Sequence, residues 1–426
     1  MPKTPKKKER SARVRGLGII LAVLFVSILV VLYAGIFPGI PKLGKFKYRM
    51  MSASLTTTTS FIHLRQATHV PTPDAVKGIY MTSCVAATPS LRDNLMKLID
   101  ETELNTVVID VKSYDGHISF MPVDERLKTA VGGCFVRDMQ DFIDGLHSRG
   151  IYVVARLAVF QDKLMVKLHP ELAVRKASAT TTPWTDFKGI SWIDPSFKSH
   201  WDYTAVLARE AHGIGFDEIN FDYIRFPADG NMRDIWYPES GMRDKSDIMR
   251  SFYEYLYDSL SPEGIIISAD LFGMTTTNTD DLHIGQILED ALPNFDYISP
   301  MVYPSHYPPG FMNLDNPNRH VYEVVKISLS HAVARAIATT TVVALPDARI
   351  GTTTPAIYAK ASFDKNKIRP WLQDNNYPVP YTAEMVRAQI QAVYDSGLNS
   401  WMLWNAGNRY TQAALETENE IPPGRE

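Results

Sequence analysis

Two aspartates set in apolar stretches carry the chemistry this sequence suggests first. Asp222 stands in GFDEINFDYIRFP (215–227) and Asp270 in IIISADLFG (265–273). A carboxylate among Ile, Phe and Leu is costly unless it is paired or lines a cavity. Two carboxyl groups, one an acid and the other a nucleophile or base, are what cleavage of a glycosidic bond requires. Asp222 is the expected nucleophile or base, and Asp270 the expected acid.

Further polar and aromatic residues recur where apolar runs end. Asp110 and Lys112 close TVVIDVKS (106–113), Arg156 lies in IYVVARLAVF (151–160), and Arg225 follows Asp222. Tyr303 and His306 end SPMVYPSHY, Trp371, Gln373 and Asp374 end RPWLQD, and Trp404 and Asn405 end WMLWN. These eleven residues are the expected substrate-binding set. Aromatic faces stack on sugar rings and carboxylates hold hydroxyls, so the set suits a polysaccharide or oligosaccharide. Lys112 and Arg225 are expected to keep a neighbouring carboxylate ionised, and Asp110 to raise the pKa of the acid. The plainer alternatives are structural ion pairs, Asp110 with Lys112 and Asp222 with Arg225. Asp115, before Gly116, reads as a turn residue and Asp162 as a cap.

Other chemistries lack a pattern. There is no CxxC, no HExxH, no clustered His/Cys spacing and no GxSxG, so no metal and no cofactor is expected. That weighs against a polysaccharide esterase or deacetylase. The second reading is a catalytically inactive barrel that binds cell-surface glycan with the same aromatic rim.

The elements that must position these residues alternate. Strand-like runs at 78–83, 106–113, 151–160, 218–226, 265–273, 297–304, 367–374 and 400–408 are separated by stretches of helical spacing. Helices are predicted over SLRDNLMKLIDETE, FVRDMQDFIDGLHSRG and TAEMVRAQIQAVYDSG, and near 199–213, 245–259, 284–292 and 320–336. Continuous apolar strands between helices predict a parallel sheet buried on both faces, and eight such units predict a closed (β/α)8 barrel over 77–410. An open doubly wound sheet is less favoured because no glycine-rich turn follows the first strand. Chemistry in such barrels sits at the C-terminal strand ends, where the polar residues gather. Residues 337–366, with TTT at 339–341 and 352–354, read as an irregular insertion.

The whole chain sets the frame. Its 426 residues are 45% hydrophobic and 21% charged, with a net charge of −3. That is ordinary globular composition with no general attraction to nucleic acid. Residues 1–16 form a basic segment with seven Lys and Arg side chains, and 17–37, LGIILAVLFVSILVVLYAGIF, carry no charge. At about 1.5 Å per residue the apolar run spans roughly 30 Å, a bilayer core. It predicts an uncleaved transmembrane signal anchor, with the N-terminus cytoplasmic and the bulk extracytoplasmic. A cleaved signal peptide would have a shorter apolar core and a small-x-small site. Residues 38–76 read as a Ser/Thr/Pro-containing stalk and 411–426 as a C-terminal tail. Cys84 and Cys134 follow adjacent strands, so one bridge between them is geometrically possible.

Seven separated segments together resemble the bacterial putative glycosyl hydrolase domain family. They are KGIYMT (77–82), TELNTVVIDVKSYDG (102–116), GFDEINFDYIRFP (215–227), SADLFG (268–273), SPMVYPSHY (299–307), RPWLQD (369–374) and WMLWN (401–405). The resemblance implies a (β/α)8 barrel with glycosidase activity from about Lys77 to Tyr410. Asp222 also occupies the strand-four place of the nucleophile in α-amylase-type barrels. Asp270 occupies the strand-five place of their acid, which there is a Glu. DEINFDYI is similar to the chitinase pattern of spaced acids, but Ile224 stands in the place of its catalytic Glu and Asn220 in the place of an Asp. That departure weighs against the chitinase mechanism.

Overall fold

The structure, a computed structural model, describes residues 67–345, 349–351 and 354–417. The basic segment, the expected membrane span and most of the expected stalk lie outside the described residues. Among the described residues, no helix is long and apolar enough to cross a membrane.

All eight expected strands form. They are β1 Lys77–Met81, β2 Thr106–Lys112, β3 Tyr152–Ala158, β4 Glu218–Asp222, β5 Ile266–Phe272, β6 Tyr297–Met301, β7 Trp371–Gln373 and β8 Trp401–Trp404. Each pairs in parallel with its sequence neighbours, and β1 pairs with β8 to close the barrel. Strands β2, β3 and β4 are buried at every position. That is the physical counterpart of their unbroken apolar runs.

Helices link the strands in turn: α1 Pro89–Asp100, α2 Met139–His147, α3 Lys198–Gly213, α4 Lys245–Leu260, α5 Leu288–Ala291, α6 Val321–Ile337 and α7 Ala383–Asp395. In α4, Ile248, Met249, Phe252, Tyr253, Leu256 and Leu260 form the buried stripe that seats it on the barrel. Helix α5 is much shorter than the expected 284–292. Leu282, His283 and Gly285 take positive φ, and a Cβ on Gly285 would lie 2.7 Å from the Lys245 carbonyl oxygen. The chain turns there against α4, so helix begins only afterwards.

Alternation along the strands sorts side chains into two sets. Ile79, Val107, Ile109, Val153 and Ala155 belong to the core under the helices. Tyr80, Val108, Tyr152, Val154, Trp371 and Met402 cluster separately inside the barrel. The period of two then carries the inward set upward from Val108 to Asp110, from Val154 to Arg156, from Glu218 through Asn220 to Asp222, and from Ser268 to Asp270. The inside is layered. At the bottom, Arg369 pairs with Glu218 at 2.8 Å and Tyr152 donates to the same carboxylate at 3.0 Å. In the middle, Asn220 donates to Ser268 at 3.1 Å. The acids and Arg156 form the top.

Three expectations need correction. The stalk was placed up to residue 76, but its last ten residues pack on the bottom of the barrel. Val70 N–H donates to Asp217 at 2.8 Å, Thr72 donates to Tyr152 at 3.1 Å, and Val76 is fully buried. The 337–366 insertion is partly regular, with a small antiparallel sheet of Thr340–Thr341, Ile357–Ala359 and Arg349–Ile350. The described part of the C-terminal tail, 411–417, packs on the barrel: Ala414 and Leu415 are buried, the Glu416 carbonyl accepts the Glu103 N–H at 2.9 Å, and the Glu416 N–H donates to the Glu103 carboxylate at 3.0 Å.

Candidate active site

A cavity of about 620 Å³ opens at the C-terminal ends of the strands. Its wall includes Asp110, Arg156, Asp222, Arg225, Asp270, Tyr303, His306 and Trp404. The size and the mixture of rings and charges are those of a small-molecule or sugar site.

Arg156 is the hub. It stands opposite Asp110 in the β2–β3 ladder. One end of its guanidinium donates to Asp110 at 2.5 Å and the other donates to Asp222. Burial opposes its charge, but Asp222 and Asp110 outweigh burial and hold its pKa well above the ordinary value. The same guanidinium lies 5.5 Å from the ring of Tyr80 and 5.2 Å from that of Trp404, and those two rings stack at 4.1 Å. Tyr80 also donates to Asp110 at 2.5 Å. Asp110 is fed by an arginine and a phenol, yet burial still raises its pKa.

The two expected catalytic acids have opposite surroundings. Asp222 is ion-paired to Arg156, and its other oxygen accepts the Tyr223 N–H at 2.6 Å. That bond exists because β4 ends sooner than expected: Tyr223 has φ 54°, a left-handed conformation costly for an aromatic residue. Asp270 has no cation of its own. Its Oδ1 accepts from the Asn220 amide at 2.9 Å and the Trp371 indole at 2.8 Å. Burial, and then the Asp222 carboxylate, push Asp270 well above the usual carboxylate range, with Arg156 and the two hydrogen bonds opposing. Burial therefore favours the protonated form of Asp270, which stands beside a carboxylate held by a cation.

Five expected residues do not line the cavity. Lys112 would face inward by alternation, but the β2–β3 register shifts between Asp110 and Lys112. Beyond that irregularity its ammonium pairs with Asp162 at 2.7 Å and donates to the Ala158 carbonyl at 2.6 Å. Asp162 also caps the following short helix through the Met165 N–H. Trp371 is buried beneath the cavity and acts on Asp270. Gln373 donates to the carbonyls of Asn375 and Tyr377 and accepts from the Ser305 N–H, so it ties loops together. Asp374 accepts twice from Thr411, and Asn405 donates to the carbonyls of Asp374 and Arg409. Neither structural pair weighed from the sequence forms. Asp110 and Asp222 share Arg156, while Arg225 packs on Trp192, Tyr223 and Phe272.

The wall also holds residues the sequence reading did not select, chiefly Tyr80, Tyr114, Lys188 and Phe272. Tyr80 was accessible by the rule used for the other strands, since it is the last inward position of β1. Lys188 comes from a long loop and has no periodic signal. Cys84 and Cys134 are joined by a disulfide at the rim, tying the loops after β1 and β2. Among the described residues, no group of His, Cys, Asp and Glu side chains is arranged to hold a metal ion.

A closed parallel barrel with paired carboxyl groups in an aromatic-rimmed mouth defines a class, the (β/α)8 glycoside hydrolases. Residues 78–410 match the model of the family described as "putative glycosyl hydrolase domain", and the chain belongs to that family. No curated protein matches it. The fold is shared with the PgaB (BpsB) glycoside hydrolase domain from Bordetella bronchiseptica, which is 12% identical at a TM-score of 0.52. That match covers 78% of this chain and 94% of the other. A hypothetical protein from Ruminiclostridium thermocellum ATCC 27405 is 29% identical, with a TM-score of 0.41, over 45% of this chain and 96% of its own. A GH18 chitinase from Pseudoalteromonas aurantia is 13% identical, with a TM-score of 0.42, over 78% of this chain and 94% of its own.

Proposed function

We propose that the barrel hydrolyses a glycosidic bond in a polysaccharide by a two-carboxylate mechanism. The observation that carries this reading is the contrast between Asp222, ion-paired to Arg156, and Asp270, buried without a cation. Asp270 would give its proton to the glycosidic oxygen as the bond to the anomeric carbon breaks. Asp222 would attack that carbon, or take a proton from the attacking water. Arg156 holds Asp222 in place, and Trp371 and Asn220 orient Asp270. Trp404, Tyr80 and Tyr303 would offer faces and hydroxyls to the sugar.

The same proposal places the barrel outside the cytoplasmic membrane, anchored by 17–37 with the basic 1–16 segment inside. The charge asymmetry supports it. The Cys84–Cys134 disulfide supports an oxidising compartment.

The test is the full chain and its Asp222→Asn variant against a panel of bacterial polysaccharides and aryl glycosides. The variant is expected to lose at least about 10²-fold in kcat. Equal turnover by both proteins would overturn the assignment of Asp222. Binding of a glycan by both, with cleavage by neither, would favour the inactive glycan-binding barrel.

A further inference from the structure

Around the cavity wall, Asp110, Asp115 and Asp222 stand with three cations, Arg156, Lys188 and Arg225. The acids are already served. Arg156 takes both Asp110 and Asp222. Asp115 accepts from Ser113 and pairs with His117 at 3.0 Å. Asp270 is held by an amide and an indole, and burial favours its protonated form. Two cations are left over.

Arg225 is the unusual one. Its guanidinium is packed 5.0 Å from the Trp192 ring, 5.4 Å from Tyr223 and 5.6 Å from Phe272. Among the described residues it makes one hydrogen bond, from Nη1 to the Phe226 carbonyl at 3.0 Å, and no ion pair. Burial lowers its pKa, with Tyr223, Asp222, Asp229 and Asp186 opposing. A guanidinium has five N–H donors in a planar fork, so most of this one is unused at the wall of a cavity. Arg225 is half-buried at the cavity wall, and its unused donors are open to a ligand entering the cavity.

Lys188 stands on a turn built to hold it. Asp186, buried below, accepts the N–H groups of Lys188 and Ile190 at 2.9 Å each. Its other oxygen accepts from Gln161 at 2.9 Å and from Trp192 at 3.2 Å. The turn therefore rests on the same Trp192 that carries Arg225. It presents an exposed Lys188 that makes no ion pair among the described residues. Lys188 also lines an adjoining cavity of about 460 Å³, which shares Tyr114, Asp115 and Tyr223 with the first and adds Lys163.

We propose that the glycan cleaved here is anionic, and that Arg225 and Lys188 together receive an acidic group on a sugar near the scissile bond. A carboxylate, as in a uronic acid, fits the forked donors of Arg225, and a sulfate or phosphate ester offers the same acceptors. The inference rests on the glycosidase reading and adds the substrate class to it.

The experiment is equilibrium binding of the full chain to oligosaccharides of glucuronic and galacturonic acid, to their carboxyl-reduced neutral counterparts, and to a sulfated neutral glycan. Kinetics are added for any that is cleaved. An acidic form is expected to bind roughly 10- to 100-fold more tightly than its neutral counterpart. Arg225→Gln should remove most of that preference, and Arg225→Lys should keep part of it. Lys188→Gln, at an exposed site where folding is not at issue, should weaken acidic ligands alone by a few-fold. Preference for the uronates identifies a carboxylate, and preference for the sulfated glycan identifies an ester.

Equal binding of every acidic and neutral pair overturns the proposal, as does a preference that survives both Arg225→Gln and Lys188→Gln. The two readings fail separately. Cleavage of neutral polymers as fast as acidic ones would sink this inference and leave the glycosidase. An Arg225-dependent preference without cleavage of anything would do the reverse.

Discussion

Asp222 and Asp270 are the same side chain given different neighbours. In the proposed mechanism, the ion pair with Arg156 and the indole and amide on Asp270 would divide the roles of base and acid between them. A pH dependence follows. The pKa of Asp270 is raised, so its proton, and with it acid catalysis, is lost only as pH rises through that raised value. The pH profile of kcat/KM should show a descending limb well above the range in which ordinary carboxylates titrate. In Asp270→Asn that limb should vanish, and aryl glycosides with good leaving groups should regain much of the lost rate. A limb that persists in the variant would assign the acid elsewhere. Much of this residue pattern was legible in the sequence, because period-two alternation carries Asp110, Arg156, Asp222 and Asp270 to strand ends on one side. Lys112 broke the rule through a register shift that no residue type announces. The pairing of Arg156 with two acids was not legible either, since which cation meets which carboxylate is decided across strands.

At the scale of elements, the strands were readable to within a few residues because burial on both faces leaves an unbroken apolar run. Their ends were less so. The run through Ile224 and Phe226 looks like strand, yet Tyr223 turns left-handed and takes the chain into the cavity wall. The insertion before β7 looked irregular because its strands are only two or three residues long. The link between the loops after β1 and β2 was legible only as a possibility, and the structure makes it a bond with a sequence separation of 50. Replacing both cysteines by alanine should lower unfolding free energy by about 2–4 kcal/mol, since the unfolded chain regains the freedom of that loop. Denaturant melts of the two proteins under non-reducing conditions measure this. An unchanged midpoint and slope would mean that the rim is held by its other contacts.

At the scale of the molecule, the family match ends at residue 410 while the packed structure runs to Thr417. The extra residues brace the outside of the closed barrel. Thr411 gives Asp374 two hydrogen bonds, at 2.8 and 2.6 Å. Glu416 pairs with Arg387 of α7, which also reaches Glu103 at 2.7 Å. Burial already pushes Asp374 up to about 6 against the pull of Thr411. A chain ending at Tyr410 should be less stable than one ending after Thr417 by about 3 kcal/mol or more. Without Thr411 the Asp374 pKa rises further. A raised carboxyl pKa favours the fold below its unfolded value, and that contribution is lost as pH rises through the folded value. The deficit of the shorter chain should therefore stay level between about pH 4 and pH 6 and grow above about pH 6, where only the longer chain's Asp374 gives up its proton. Thermal melts across that range would show it, and a constant deficit would mean that Asp374 is not the group responsible.

The pairing of β1 with β8 also sets an order in time. The first strand begins at Lys77 and its partner at Trp401, so a chain being synthesised keeps one edge of β1 open until Trp401–Trp404 has emerged. Throughout that interval the growing sheet has two bare edges able to pair with other chains. The ring becomes a ring only with its last strand. Until that pairing forms, the closed mouth that gathers the acids and Arg156 does not exist.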